Sequence, residues 1–392
     1  MKEIIFFNIS EQTPNEKCSR LNRTGQLTFE FANNGYKTTW VSSTFSHINK
    51  RYLTFYEKRD FNNLNFHFLR SFTYKKNISM IRVANNFFLA FQAFYFLIKH
   101  KKPDIIYCYT PPIELAFVSA ICSKFFSITF VLDVRDNWPD SFVYLFPHSL
   151  RPITKILFYP WRFMLKFSLR QATKILASSK LQAEFASQYI QDPNKIAKVF
   201  YIGDNVPEIK LSSRETDTIN LLFVGTLTNA RPLFSTINNL NKLKHKNYFL
   251  SVIGDGDNLD QYKALSSLNN NILFHGRKTG EELYKYIQES DILIAPYEEA
   301  GYGWSMPAKI SSYIGFGRPI ITNIGNETQE FLESYSLGSI INFENLDDFT
   351  SAIDFWAQVN KDKHLKNARK VYEENFDMKK IAISMKDYIS DI

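Results

Sequence analysis

Short apolar runs of strand length alternate with segments of helical spacing, and the alternation runs through this chain twice. In the first half, residues 3–8, 37–42, 105–109 and 129–134 read as strands, and residues 20–34, 78–100 and 114–125 read as helices. Strands buried on both faces appear as continuous apolar runs, and the helices between them cover a parallel sheet. The pattern breaks at Gly203-Asp204-Asn205-Val206-Pro207 and a charged stretch over residues 210–218, then restarts. Strands are expected at residues 219–225, 249–254, 272–276 and 292–296, with helices ending near Leu243 and covering residues 260–267 and 280–288. A length of 392 residues also exceeds what one hydrophobic core usually supports. The expectation is an α/β chain of two Rossmann-like, doubly wound domains: residues 1–205, residues 206–377, and a terminal helix in residues 378–392 returning to the first. Ligands of open parallel sheets bind beyond the strand C-termini, so a central cleft faced by both sheets is the expected site.

Charge is divided unevenly. Residues 1–205 hold 27 Lys and Arg against 14 Asp and Glu, a net of +13, while residues 206–392 hold 20 against 25, a net of −5. Residues 61–103 and 141–183 contain no acidic residue. In the second of these, Arg151, Lys155, Arg162, Lys166, Arg170 and Lys174 fall on a drifting helical stripe, opposite Ile153, Leu157, Trp161, Met164 and Phe167. A basic stripe beside an apolar face suits an anionic membrane surface, and equally a helix packed on its own domain. Pro160 is expected to kink or split that helix. No nucleic-acid-binding pattern accompanies the positive charge, so nucleic acid is not expected as a partner. The apolar run 87–98 is short of the roughly 20 residues that span a bilayer, and the N-terminal run is too short for a signal peptide. Three widely spaced cysteines, Cys18, Cys108 and Cys122, form neither a disulfide framework nor a zinc site, which points to a reducing cytosol.

One stretch carries the chemistry. Gly301-Tyr302-Gly303-Trp304-Ser305-Met306-Pro307 leads into a predicted short helix with Lys309 in its first turns, ended by Gly317 before Pro319. Glycines allow close backbone approach, a helix start presents N–H groups and positive dipole, and Lys309 adds a full charge; together they suit a diphosphate. Upstream, Gly225-Thr226, Gly254-Asp255-Gly256 and Gly276-Arg277 each follow an apolar run. In the first half, Asp133-Val134-Arg135-Asp136-Asn137-Trp138-Pro139-Asp140 closes a strand, and Arg23-Thr24-Gly25 opens the first helix, where an acceptor phosphate could be met. His47 is read as an exposed loop histidine without a catalytic role.

The second-half order of these motifs resembles the donor domain of the family 4 glycosyltransferases, whose architecture is called GT-B. The Asp-x-Arg-Asp-x-Trp-Pro run is similar to a signature of enzymes assembling O-antigen and capsule saccharides. The resemblance implies Lys309 and Arg231 on the donor diphosphate, with Arg135 and Asp136 orienting acceptor or donor hexose. Thr226 stands where the family has another basic residue. The family's two glutamates fall on Trp304 and Ser312, so Ser312 is the expected ribose contact; Glu298 and Glu299 are expected to be solvated.

The resemblance thus implies a retaining transfer, needing no cofactor, from a nucleotide sugar, most simply uridine-linked, to a polyprenyl-pyrophosphate-linked saccharide; no Asp-x-Asp pair closes a strand, since Asp255 and Asp257 belong to the glycine turn, so metal independence is expected. The enzyme would lie peripherally on the inner face of the cell membrane. Two alternatives remain open on the residues alone: a sugar-nucleotide epimerase of similar architecture, and a non-catalytic sugar-nucleotide-binding subunit.

Overall fold

A computed structural model describes residues 1–14, 21–53, 62–76, 78–100, 102–143, 146–190, 192, 195–209, 217–228, 232–243, 246–298 and 306–391. The chain divides into two compact units, Met1–Tyr201 with Met378–Ile392, and Ile202–Asp377. The expected boundary at 205/206 lies beyond this division because residues 202–206 are tied into the second unit. Asp204 N donates to Phe376 O at 3.0 Å, and Val206 N donates to Tyr372 Oη at 2.8 Å.

In the first unit, β1 (Glu3–Phe7), β2 (Lys37–Ser43), β5 (Leu64–Leu69), β6 (Ile105–Thr110), β7 (Thr129–Val134), β8 (Lys174–Ala177) and β9 (Lys198–Val199) form a seven-stranded sheet. Its order is β5-β2-β1-β6-β7-β8-β9, and every pairing is parallel. Strands β3 (Phe45–Ser46) and β4 (Arg51–Tyr52) make a small antiparallel pair after β2. Alternation along β1 explains the two cores. Ile5 and Phe7 face Leu89, Ala93 and Leu97 of the helix Met80–Lys99, whereas Ile4 and Phe6 face Leu27, Phe31 and the terminal helix residues Ile381, Met385 and Ile389. The return of residues 378–390 to this unit therefore has an apolar cause.

One helix is longer than its apolar run suggests, and another splits where Pro160 is expected to split it. Met80–Lys99 runs for 20 residues and is long and apolar enough, by length and composition, to cross a membrane, unlike the shorter run read from sequence. In this fold its Leu89, Ala93 and Leu97 lie in the core of the unit. The basic stripe is not on one helix either, because Arg151–Leu157 and Tyr159–Gln171 break at Phe158 with Pro160 in the first turn of the second. Pro160 starts a helix readily but cannot continue one. Lys174 leaves the stripe for β8, where its Nζ donates to the carbonyls of Tyr388 and Asp391.

The second unit repeats the plan. Strands β10 (Ile219–Val224), β11 (Tyr248–Ile253), β12 (Ile272–Phe274), β13 (Ile292–Ala295), β14 (Ile320–Thr322) and β15 (Gly338–Ile340) form a parallel sheet in the order β12-β11-β10-β13-β14-β15. Strand order reverses between β10 and β13, the topological point at which open parallel sheets leave a crevice beyond the strand C-termini.

Candidate functional site

In the second unit, three strand ends meet as bare backbone. Gly225 N donates to Ile253 O at 2.8 Å, and Gly254 N donates to Gly276 O at 2.9 Å. A Cβ at Gly254 would lie 1.8 Å from Gly225 O, so only glycine allows the two loops to approach this closely. Thr226 and Arg277 extend from this floor into solvent.

The helix Ala308–Phe316 is held against the same edge. Tyr313 Oη accepts from Val224 N at 2.9 Å and donates to Val224 O at 3.3 Å, clamping the helix to the end of β10. Lys309 is four residues earlier and so shares the face of Tyr313. Its Nζ is shielded from solvent and lies 3.8 Å from the Phe223 ring centroid and 5.2 Å from that of Tyr313. Such a ring-held ammonium keeps its charge at a fixed place beside the strand ends. Pro307 is the N-cap residue and makes no side-chain capping bond, and Met306 is buried beneath it. At the other end Gly317 adopts φ 74°, the left-handed turn expected of a C-cap glycine. Arg231, Gly301, Tyr302, Gly303, Trp304 and Ser305, with Glu299, lie outside the described residues; Glu298 is exposed.

Ser312 is not alone at its position. Its hydroxyl donates to a carboxylate oxygen of Asp204, 108 residues earlier, and also lies 3.2 Å from Ala308 O. Asp204 is pinned in turn by the Tyr372 hydroxyl, which donates to its carbonyl at 2.6 Å. Sequence reading missed Asp204, whose only signal was its place in the Gly203–Pro207 break.

The first unit uses its motif differently. Asp133 is fully buried and accepts from Arg23 Nε at 2.9 Å, Arg23 Nη2 at 3.1 Å, Arg135 Nε at 2.8 Å and Tyr107 Oη at 2.6 Å. Burial alone would raise its pKa, but the two guanidiniums outweigh burial and hold it at about 2. Arg135 further donates to Glu11 at 2.7 Å and Thr24 Oγ1 at 2.5 Å and stacks 4.2 Å from the Tyr109 ring centroid. Burial would lower its pKa, yet Asp133 and Glu11 drive it well above the ordinary value.

In the first helix the groups expected to meet an acceptor phosphate already have partners within the chain. Arg23 spends its remaining donors on the carbonyls of Phe200 and Tyr201, and the N–H groups of Thr24 and Gly25 are taken by Glu11 at 3.2 and 3.1 Å. The chain's own carboxylate fills the place foreseen for an acceptor phosphate. Gly25 instead makes room for Trp40 and Leu21, which a Cβ would meet at 3.1 and 3.2 Å. Arg135 likewise acts here as an ion-pair hub. Asp136 keeps outside the network, half-buried, with Ser141 Oγ at 3.5 Å. Burial raises its pKa, opposed by the backbone N–H groups of Asn137 and Trp138.

Residues 218–358 match the family described as glycosyl transferases group 1. No curated protein sequence matches the chain. Solved structures similar in fold span nearly the whole chain. Anabaena HepE in complex with UDP and glucose aligns with a TM-score of 0.63 at 13% identity, covering 100% of both chains. Sucrose-phosphate synthase from Thermosynechococcus elongatus gives 0.71 at 12% identity, covering 99% of this chain and 98% of that one. The lipopolysaccharide outer core galactosyltransferase WaaB gives 0.64 at 14% identity, covering 98% and 99%. The fold is thus the α/β fold of GT-B glycosyltransferases.

Proposed function

We propose that this chain is a glycosyltransferase that takes a sugar from a nucleotide diphosphate, most simply a uridine diphosphate sugar, with retention of anomeric configuration. The observation that carries the reading is the Lys309 ammonium, fixed beside the glycine floor of β10 and β11 at the start of a helix with no side-chain cap. In the transition state the diphosphate leaves with growing negative charge, and a pre-placed cation and helix dipole stabilise that charge with little reorganisation. Arg231 is the second proposed diphosphate cation. The Ser312–Asp204 pair offers the hydroxyl and carboxylate that a ribose would bond. Asp136 is the polar group of the first unit proposed to orient the reacting hexose or acceptor. The family match over residues 218–358 supports the activity, and the UDP bound to HepE supports the donor class.

The proposed acceptor is a saccharide on polyprenyl pyrophosphate, in surface polysaccharide assembly on the cytoplasmic face of the membrane. Supporting this are the exposed side chains Phe91 and Tyr95 of the helix Met80–Lys99 and Ile156, Tyr159 and Phe163 of the helices Arg151–Leu157 and Tyr159–Gln171. Phe87 meets Trp161 with ring centroids 6.2 Å apart, so these helices share one face of the unit, and exposed Lys155, Lys166 and Arg170 accompany them. Apolar anchors among cations match an anionic lipid surface.

Calorimetric titration of UDP against wild type and Lys309→Ala tests the donor site, with turnover measured alongside. Loss of both in a folded variant is expected, and near-normal transfer by Lys309→Ala refutes the mechanism. For the membrane, flotation with anionic vesicles at low salt should carry wild type upward and leave Phe163→Glu behind; wild type remaining at the bottom defeats that reading.

A further inference from the structure

His47 is not the solvated loop residue its sequence context suggests. It is half-buried, with Nδ1 2.7 Å from Tyr74 Oη and 3.5 Å from Lys50 Nζ. An ammonium has only protons to offer, so Nδ1 is the acceptor and Nε2 carries the ring hydrogen. Lys50 also lies 4.8 Å from the Tyr74 ring centroid. It holds φ 52° in the turn joining β3 to β4, a region costly for a lysine, which marks a position fixed by its surroundings.

Arg82 adds a second cation beside Lys50. It stands in the first turn of the helix Met80–Lys99, which has no acidic residue there, so a positive side chain occupies the positive end of a long helix dipole. The three segments are locked together. Asn85 Oδ1 accepts from Ser71 Oγ at 2.8 Å and Phe72 N at 2.7 Å, and Tyr52 Oη donates to Ser71 O at 3.3 Å. Burial comes first in lowering the pKa of His47 to about 4, followed by the charges of Arg82 and Lys50, and the same two causes, burial and Arg82, lower Lys50. Like charges are thus held together by the fold at the C-terminal edge of β2 and β5, where parallel sheets bind ligands. The charge of Arg82 also acts on Asp136, the residue proposed above to orient substrate.

We propose that His47, Lys50, Arg82 and Tyr74 form an oxyanion subsite of the first unit that takes a phosphate or diphosphate group. Resting on the acceptor reading above, that group is the diphosphate of the lipid-linked saccharide. An entering diphosphate relieves the repulsion among the cations and draws a proton onto His47 Nδ1, turning it into a second donor.

The test is NMR of histidine-labelled full-length protein saturated with UDP, with the His47 signal assigned by His47→Gln. Inorganic pyrophosphate should shift that signal and raise its titration midpoint above the ordinary histidine value. Arg82→Gln and Lys50→Gln, checked for unaltered thermal unfolding, should each weaken pyrophosphate binding by about tenfold, the loss expected for one charge-assisted contact, with UDP affinity unchanged. A His47 signal indifferent to pyrophosphate overturns the subsite. A short isoprenyl diphosphate should compete with pyrophosphate; if pyrophosphate binds and the isoprenyl diphosphate does not, the acceptor assignment is overturned. Lys309→Ala should abolish UDP binding and leave the His47 shift intact, so failure of the donor reading and failure of this one give different results.

Discussion

The two units carry basic residues at equivalent places, the ends of parallel strands, and use them in opposite ways. In the first, Arg23 and Arg135 spend their donors on Asp133, Glu11, Thr24 and two backbone carbonyls. In the second, Lys309 rests over the rings of Phe223 and Tyr313 beside a floor of glycine backbone. The first pair of cations is held by buried carboxylates, whereas Lys309 is held over aromatic faces. Motif position alone does not separate these roles; the partners do.

The largest effect that could break this contrast is on stability. Asp133→Ala removes the carboxylate shared by two buried guanidiniums, leaving Arg23 without a counter-charge and Arg135 with Glu11 alone, and should cost about 3–5 kcal/mol, lowering the unfolding temperature of the first unit in calorimetry. A transition that stays in place would show the network to be ornamental. Removing Lys309 should act on the other quantity: turnover falling by roughly 10²–10³, as when one preorganised transition-state contact is lost, with an unfolding temperature close to that of wild type. Gly254→Ala comes next. Its new methyl group cannot share space with Gly225 O, so the strand ends must part and UDP affinity should drop on the order of tenfold, for about 1–3 kcal/mol of strain; titration calorimetry reads it.

Acid provides a finer instrument. His47 and His364 both have pKa values lowered to about 4 from 6.5, by burial first and by nearby Arg82 or Arg318. Each is a base whose charged form the fold disfavours, so unfolded chain binds protons that folded chain refuses as pH falls from 6.5 towards 4. Stability should be complete above that window and decline through it, while the Asp133 ion pairs persist until pH approaches about 2. Denaturant midpoints that are flat between pH 7 and 4 would contradict the burial of both rings. The smallest expected change is Asp204→Asn, which weakens one hydrogen bond to Ser312 and should alter UDP affinity by a few-fold, about 1 kcal/mol.

What sequence shows and hides follows from range. Strands β1, β6, β7, β10, β11 and β13 are mostly apolar runs, and the helix ending at Gly317 carries its own stop signal, so both were legible. Edge strand β5 was not, because Asn65 and His67 interrupt its apolar residues with exposed ones. Arg23 meets Asp133 across 110 positions and Ser312 meets Asp204 across 108, pairings that no local spacing encodes. Thr24 and Gly25 had the chemistry of an anion site, yet Glu11 from a neighbouring loop reached them first. His47 was misjudged for the same reason, since Tyr74 and Arg82 come to it from beyond the next strand.

The segment Met378–Ser390 seals apolar side chains of β1 and the first helix, although all of the second unit is translated before it. During synthesis, then, Phe6, Leu27 and Phe31 wait uncovered on the ribosome while some 180 residues of another unit emerge and collapse. Deleting residues 378–392 would injure the opposite end of the polypeptide, and nascent chains stalled short of residue 378 should be the ones that chaperones hold.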